Sequence, residues 1–115
     1  MDTIRGFELA INNEKSRGEI INIGSGYEVS INDTVNLLCK ITNKSPKIIT
    51  DKVRIRPKKG EVFRLKANNS KAKKYLNWEP LYKGKPGYIK GLKETVDWFS
   101  IKKNLEKYKT DHYVK

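Results

Sequence analysis

One cysteine, Cys39, and one histidine, His112, are all that this chain contains of those two residue types. A lone cysteine cannot close an internal disulfide, and with a single histidine it cannot complete a zinc site, so a disulfide scaffold and a Cys/His metal centre are both excluded. Long apolar runs are equally scarce. The opening residues, MDTIRGFELAINNEK, carry acids early and no extended hydrophobic stretch, which fits neither a signal peptide nor a membrane span and makes a cytoplasmic location the default expectation. Acidic residues are in deficit as well: 13 Asp and Glu face 25 Lys and Arg, for a net charge of +12.

That excess is concentrated. Residues 52–90 hold 13 basic and 2 acidic side chains, whereas the rest of the chain is nearly neutral. Twenty of the 25 basic residues are lysine, and asparagine and isoleucine are plentiful, a composition that a coding bias produces as readily as selection for polyanions. A length of 115 residues with 37% hydrophobic content is one domain's worth and suffices for a small core.

Hydropathy patterning predicts a first helix capped by Asp2, with Ile4, Phe7, Ala10 and Ile11 as its apolar stripe and the polar run at 12–18 as its end. EIINI, residues 19–23, is short, isoleucine-rich and followed by Gly24-Ser25-Gly26, so it reads as a buried strand entering a turn. Ser30-Ile31-Asn32-Asp33 has the form of a capping box, and Thr34, Val35, Leu38 and Ile41 follow at helical spacing, which predicts a helix over about 31–42. Residues 47–50 and 62–65 read as two further short strands. Asn68 or Asn69 caps a short helix with Ala72, Tyr75 and Leu76 on one face, and Asn77 stops it in the left-handed conformation. Residues 84–87 read as a turn, Leu92, Val96 and Phe99 mark a last helix, and from Lys102 onward the pattern fades into a basic, helical or frayed tail.

Motifs that would carry chemistry are few. Gly24-Ser25-Gly26 lies after an expected strand, but position 29 of a Gly-x-Gly-x-x-Gly fingerprint is Val29 and the next helix begins too late to aim its N-terminus at a pyrophosphate, so the turn is structural. No Tyr-x-x-x-Lys pair occurs, since the fourth residues after Tyr27, Tyr75, Tyr82, Tyr88 and Tyr108 are Ile31, Glu79, Pro86, Leu92 and His112. The stretch RIRPKKGEVFRL, residues 54–65, packs five positive charges and one negative around a proline and a glycine. Arginine offers a planar fork matched to phosphate oxygens, Pro57 fixes the backbone after Arg56, and Glu61 can accept hydrogen bonds from a diol such as ribose. Composition alone favours a solvated loop over a ligand clamp. Nucleic-acid binding is disfavoured because Tyr75, Trp78, Tyr82 and Tyr88 fall at positions expected to be buried and do not interleave with the lysines.

Four segments in succession, DTIRGFELA, GEIINIGSGYEVSINDTVNLL, RIRPKKGEVFRLKANNSKAKKYLNWEP and GYIKGLKETVDWF, resemble the C-terminal, substrate-binding part of NAD-dependent sugar-nucleotide epimerases and dehydratases of the extended short-chain dehydrogenase/reductase family. The likeness runs from Asp2 to about Phe99 and is nearest to bacterial 4,6-dehydratases acting on nucleotide-linked N-acetylglucosamine. It implies an α/β fold, a small C-terminal lobe of few short strands and about four helices, with residues 1–101 as the nucleotide-sugar-binding domain and 102–115 as the tail. It also implies that Arg56 binds the diphosphate of a nucleotide-diphosphate sugar and Glu61 the nucleotide ribose. Gly60 stands where a serine is common, and Asn77 replaces the usual glycine of a Leu-Gly-Trp motif, a mild change because asparagine tolerates the left-handed cap.

The same resemblance implies what this chain does not carry. Members of full length hold NAD on an N-terminal Rossmann domain with a glycine fingerprint and a Tyr-x-x-x-Lys pair, so the 115 residues correspond to about a third of such an enzyme, bind no cofactor alone and have no catalytic residue of their own. The absent domain would leave a face exposed, and self-association is expected. A basic nucleic-acid-binding module is the alternative function, and a small interaction domain whose lysines confer only solubility is the plainest one.

Overall fold

The computed structural model describes residues 1–49, 62 and 64–106, and these form helices joined by extended segments. The α-helices are α1 (Asp2–Ile11), α2 (Ile31–Thr42), α3 (Ser70–Leu76), α4 (Gly84–Phe99) and the single turn α5 (Lys102–Leu105), with a 3-10 turn at Glu14–Ser16. The α/β expectation is overturned: among the described residues there is no strand and no sheet. Residues 19–23 and 47–49 do have no helical structure, but a β-strand is defined by a ladder, and none forms among the described residues. The strand expected over 47–50 and that over 62–65 fall partly outside the described residues, as do residues 107–115 of the expected tail.

Local signals place the helices well. Ser30 caps α2, its Oγ accepting from the Asp33 N–H at 3.0 Å and donating to the Asp33 carboxylate at 2.7 Å. The helix ends at Asn43, left-handed at φ 51°, with the Lys44 N–H returning to the Cys39 carbonyl. Helix α3 ends in the same manner at Asn77, φ 49°, as the sequence suggests. Asn68, not Asn69, meets the Ser70 N–H at the start of α3. Residues 84–87 are not a separate turn but the first turn of α4, where Pro86 is tolerated because the N–H it lacks would have no intrahelical partner.

The core is small: Ala72, Leu76 and Trp78 are buried, and Ala10, Ile21, Ile23 and Tyr75 pack against them. Turning at Asn77 brings Trp78 back under α3, its own N–H bonded to the Ala72 carbonyl at 3.2 Å. The indole N–H donates to the Asp2 carbonyl at 3.1 Å, which satisfies the one polar atom of a fully buried side chain. Asp2 does not cap its own helix. It is the first residue of α1, and its carboxylate instead accepts the N–H groups of Leu81 at 2.9 Å and Tyr82 at 3.0 Å.

The apolar stripe expected of α1 is also redistributed. Gly6 and Ala10 face inward, because a flat helix surface is needed where Ile23 approaches: a methyl group on Gly6 would lie 2.9 Å from Ile23 Cδ1. Ile4, Phe7 and Ile11 stay 56%, 66% and 82% exposed. Helices α2 and α4 form the second layer, joined by Thr34 Oγ1 and the Tyr88 hydroxyl at 2.8 Å and by the Tyr27 and Tyr88 rings at 5.8 Å. Of the aromatics expected inside, Trp78 is buried and Tyr75, Tyr82 and Tyr88 are half-buried.

Two outcomes follow. A Cβ on Gly87 would lie 2.2 Å from the Tyr82 carbonyl carbon, a backbone atom that cannot swing aside. Gly87→Ala is expected to cost about 1–3 kcal/mol in chemical denaturation, the usual range for overpacking. Partial burial works against ionisation of Asp2, yet the Leu81 and Tyr82 N–H groups and the Arg5 guanidinium outweigh it and hold the carboxyl below its ordinary value. A depressed carboxylate contributes stability that is complete above its unfolded pKa and is lost as pH falls through the folded one. Asp2→Asn should therefore melt lower than wild type at neutral pH, by about 1–3 kcal/mol, with the gap closing below roughly pH 4 in a melting series.

Candidate functional site

Three stretches of chain converge on a cleft of about 670 Å³, between the 25–26 turn, the 66–70 segment and residues 78–84. Ser25 shapes the turn, its Oγ accepting from the Tyr27 N–H at 3.2 Å. Gly26 adopts φ 66°. Gly24 lies so near the 66–70 segment that a Cβ there would stand 2.7 Å from Ala67 Cβ, and its carbonyl accepts from Asn69 Nδ2. The other amide atom, Asn69 Oδ1, is buried without a partner. This packing also decides the fate of the Gly-x-Gly turn. Gly24 is packed against Ala67 and Asn69, Gly26 faces the cleft, and α2 begins only at Ile31.

The cleft wall is cationic, with Lys66, Lys73 and Lys83 against one acid, Glu79. Lys73 Nζ lies 2.6 Å from Glu79 Oε1 and Lys83 Nζ 3.9 Å from Oε2. The hydrogen bond and charge of Lys73, followed by the charge of Lys83, hold the Glu79 carboxyl below its ordinary value, and Glu79 in turn raises Lys73. Beside the cleft, Arg64 forks onto the Glu28 carboxylate through Nε, at 3.1 Å, and Nη2, which lowers Glu28 and raises Arg64. These acids are kept ionised, the opposite of what a general acid needs. The wall thus carries more positive than negative charge, with Glu79 held between two of its lysines.

On the far side of the 81–83 loop, the Tyr82 hydroxyl donates to Glu94 at 2.5 Å, and Lys90 lies 5.5 Å from the ring centroid. No group of three or more potential metal-ligating side chains occurs among the described residues. Arg56 and Glu61, the two residues singled out from the sequence, lie outside the described residues. Lys66, Lys73 and Lys83 were visible only as part of the basic 52–90 stretch. Asn69 carried a signal as one of two adjacent candidate caps.

Two known proteins match this sequence. The chain is 38% identical over 93 residues, 80% of its length, to a UDP-glucuronate 4-epimerase from Thermodesulfobacterium geofontis, and 33% identical over 82 residues, 71% of its length, to a protein named "Putative UDP-glucose 4-epimerase" from Methanocaldococcus jannaschii. It is related to sugar-nucleotide 4-epimerases over most of its own length. It spans only about a quarter of theirs, 26% and 24% respectively. No family model and no solved structure matches.

The Tyr82 pair gives a direct check on these electrostatics. The hydrogen bond to Glu94, followed by desolvation and the charges of Glu94 and Asp2, pushes the phenol above its ordinary value. Ultraviolet difference titration of single-tyrosine variants should show Tyr82 ionising at higher pH than a free tyrosine, and Glu94→Gln should return it toward that value.

Proposed function

We propose that this chain is the nucleotide-sugar-binding portion of an NAD-dependent sugar-nucleotide epimerase or dehydratase, and that the parent activity is 4-epimerisation. The observation that carries the reading is the 38% identity to a UDP-glucuronate 4-epimerase across 80% of the chain. Both matched relatives are 4-epimerases by name, which weighs against the 4,6-dehydratase suggested by the sequence motifs. The epimerase motif assigns Arg56 to the diphosphate, where its planar fork meets two oxygens, and Glu61 to the ribose diol. Binding there would fix the sugar relative to the reacting centre and so convert an encounter into an oriented complex. NAD, held by a domain outside this chain, would supply hydride transfer at the sugar.

The test is a competition between a UDP-sugar and a short DNA duplex for the chain, across a salt series, with Arg56→Ala beside Lys58→Ala. Loss of charge-assisted bonds worth about 1.5–3 kcal/mol should weaken UDP-sugar binding roughly ten- to a hundred-fold in Arg56→Ala, and far less in Lys58→Ala. Tight duplex binding, with equal losses in the two variants and a steep linear dependence on log salt, would replace this reading by a nucleic-acid module.

A further inference from the structure

Residues 64–69, which lead from the basic stretch at 54–61 to helix α3, are fixed to the 24–28 turn at three points. Arg64 forks onto the Glu28 carboxylate, Nε to Oε2 at 3.1 Å and Nη2 to Oε1. Ala67 packs on Gly24, where a Cβ would stand 2.7 Å from its own, and Asn69 Nδ2 donates to the Gly24 carbonyl. The turn is itself braced on the second helical layer, since the Tyr27 ring lies 5.8 Å from that of Tyr88, whose hydroxyl meets Thr34 of α2. The Gly24 contacts hold the end of the run next to α3, and the Glu28 fork holds the end nearer in sequence to the basic stretch.

The fork differs from an ordinary surface ion pair in geometry and in place. Two charge-assisted bonds from one guanidinium fix direction as well as distance, and this is the arrangement in which an exposed pair retains value. Arg64 also follows Glu61 by three positions. A chain spans at most about 3.3–3.6 Å per residue, so three residues tether a group within roughly 11 Å of an anchored one. The other ion pair of this region, Lys71 with Glu19 at 2.6 Å, lies beyond the Gly24 contacts, which separate it from the basic stretch.

We propose that Glu28 is a positioning residue for nucleotide-sugar binding: by gripping Arg64 it fixes the exit of the stretch that carries Arg56 and Glu61. This role rests on the nucleotide-sugar reading of that stretch and goes beyond it, because Glu28 acts through Arg64 and not on the ligand. A stretch whose end is already fixed loses less freedom when a ligand orders it, which raises affinity without a new contact. The gain is bounded by the worth of the pair itself, about fivefold at most for an exposed one. Its sign is diagnostic. A nucleotide-diphosphate sugar is an anion, so on charge alone the loss of an acid from a chain of net charge +12 would strengthen binding, whereas loss of the anchor weakens it.

Calorimetric titration of the 115-residue chain with UDP-glucuronate is the test. Glu28→Ala and Glu28→Gln should each bind about two- to fivefold more weakly than wild type. The double variant Glu28→Arg with Arg64→Glu rebuilds the pair with its charges exchanged and should recover most of the affinity. Glu19→Ala removes an acid and an ion pair beyond the Gly24 contacts and should bind no more weakly than wild type. A Glu28→Ala chain that binds as tightly as wild type or tighter overturns the positioning role, as does an equal loss in Glu19→Ala or a double variant no better than Glu28→Ala. Arg56→Ala separates this from failure of the underlying reading. A wild type that binds no UDP-glucuronate, or an Arg56→Ala chain that binds it unchanged, removes the nucleotide-sugar reading and the positioning role with it; a loss in Arg56→Ala beside an unaffected Glu28→Ala removes the positioning role alone.

Discussion

The fold depends on one residue at the start of the chain reaching the loop before its longest helix. The Asp2 carboxylate takes two backbone donors, those of Leu81 and Tyr82, while its carbonyl takes the indole N–H of Trp78. A tryptophan cannot be fully buried at low cost unless its N–H is satisfied, and the N–H groups of a loop pressed against a helix need acceptors as well. One residue answers both needs. With three buried side chains in the core of the described residues, hydrophobic burial there is modest, and these bonds tie α1 to the 78–82 segment.

Where a signal was local, the sequence carried it. The Ser30–Asp33 box, the left-handed Asn77 and the inward face of Thr34, Val35, Leu38 and Ile41 all rest on neighbours within one or two helical turns. Where the outcome depended on distant chain, it was not legible. Asp2 has the appearance of a helix cap because caps are local, but its partners lie 79 and 80 residues away. The apolar residues of α1 suggested a buried stripe, yet burial there was decided by Gly6 and by the approach of Ile23. The isoleucine run at 19–23 has strand propensity without a ladder, and propensity cannot create a neighbour.

The candidate site was legible in a different way. Arg56 and Glu61 came from a motif, and the likeness to 4-epimerases agrees with the broad class of that motif without supporting 4,6-dehydration in particular. The cleft itself could not have been read from composition. A lysine-rich stretch predicts positive charge but not that Lys73 and Lys83 flank the same glutamate, nor that an asparagine would seal the turn at Gly24. Those pairings arise from where α3 and the 78–84 segment fold back together.

The bond between the ends of this fold has a consequence for its birth on the ribosome. Helix α1 is made before its partners: Trp78, Leu81 and Tyr82 are added some eighty residues later, and the exit tunnel delays them further. At translation rates of about 5–20 residues per second, α1 waits several seconds with Ala10 uncovered and Asp2 without the donors that will hold it. Ten residues are too few for a helix to be stable alone in water. Helix α1 thus precedes its partners in synthesis and settles only after them, and this part of the nascent chain remains open to chaperones until the tryptophan emerges.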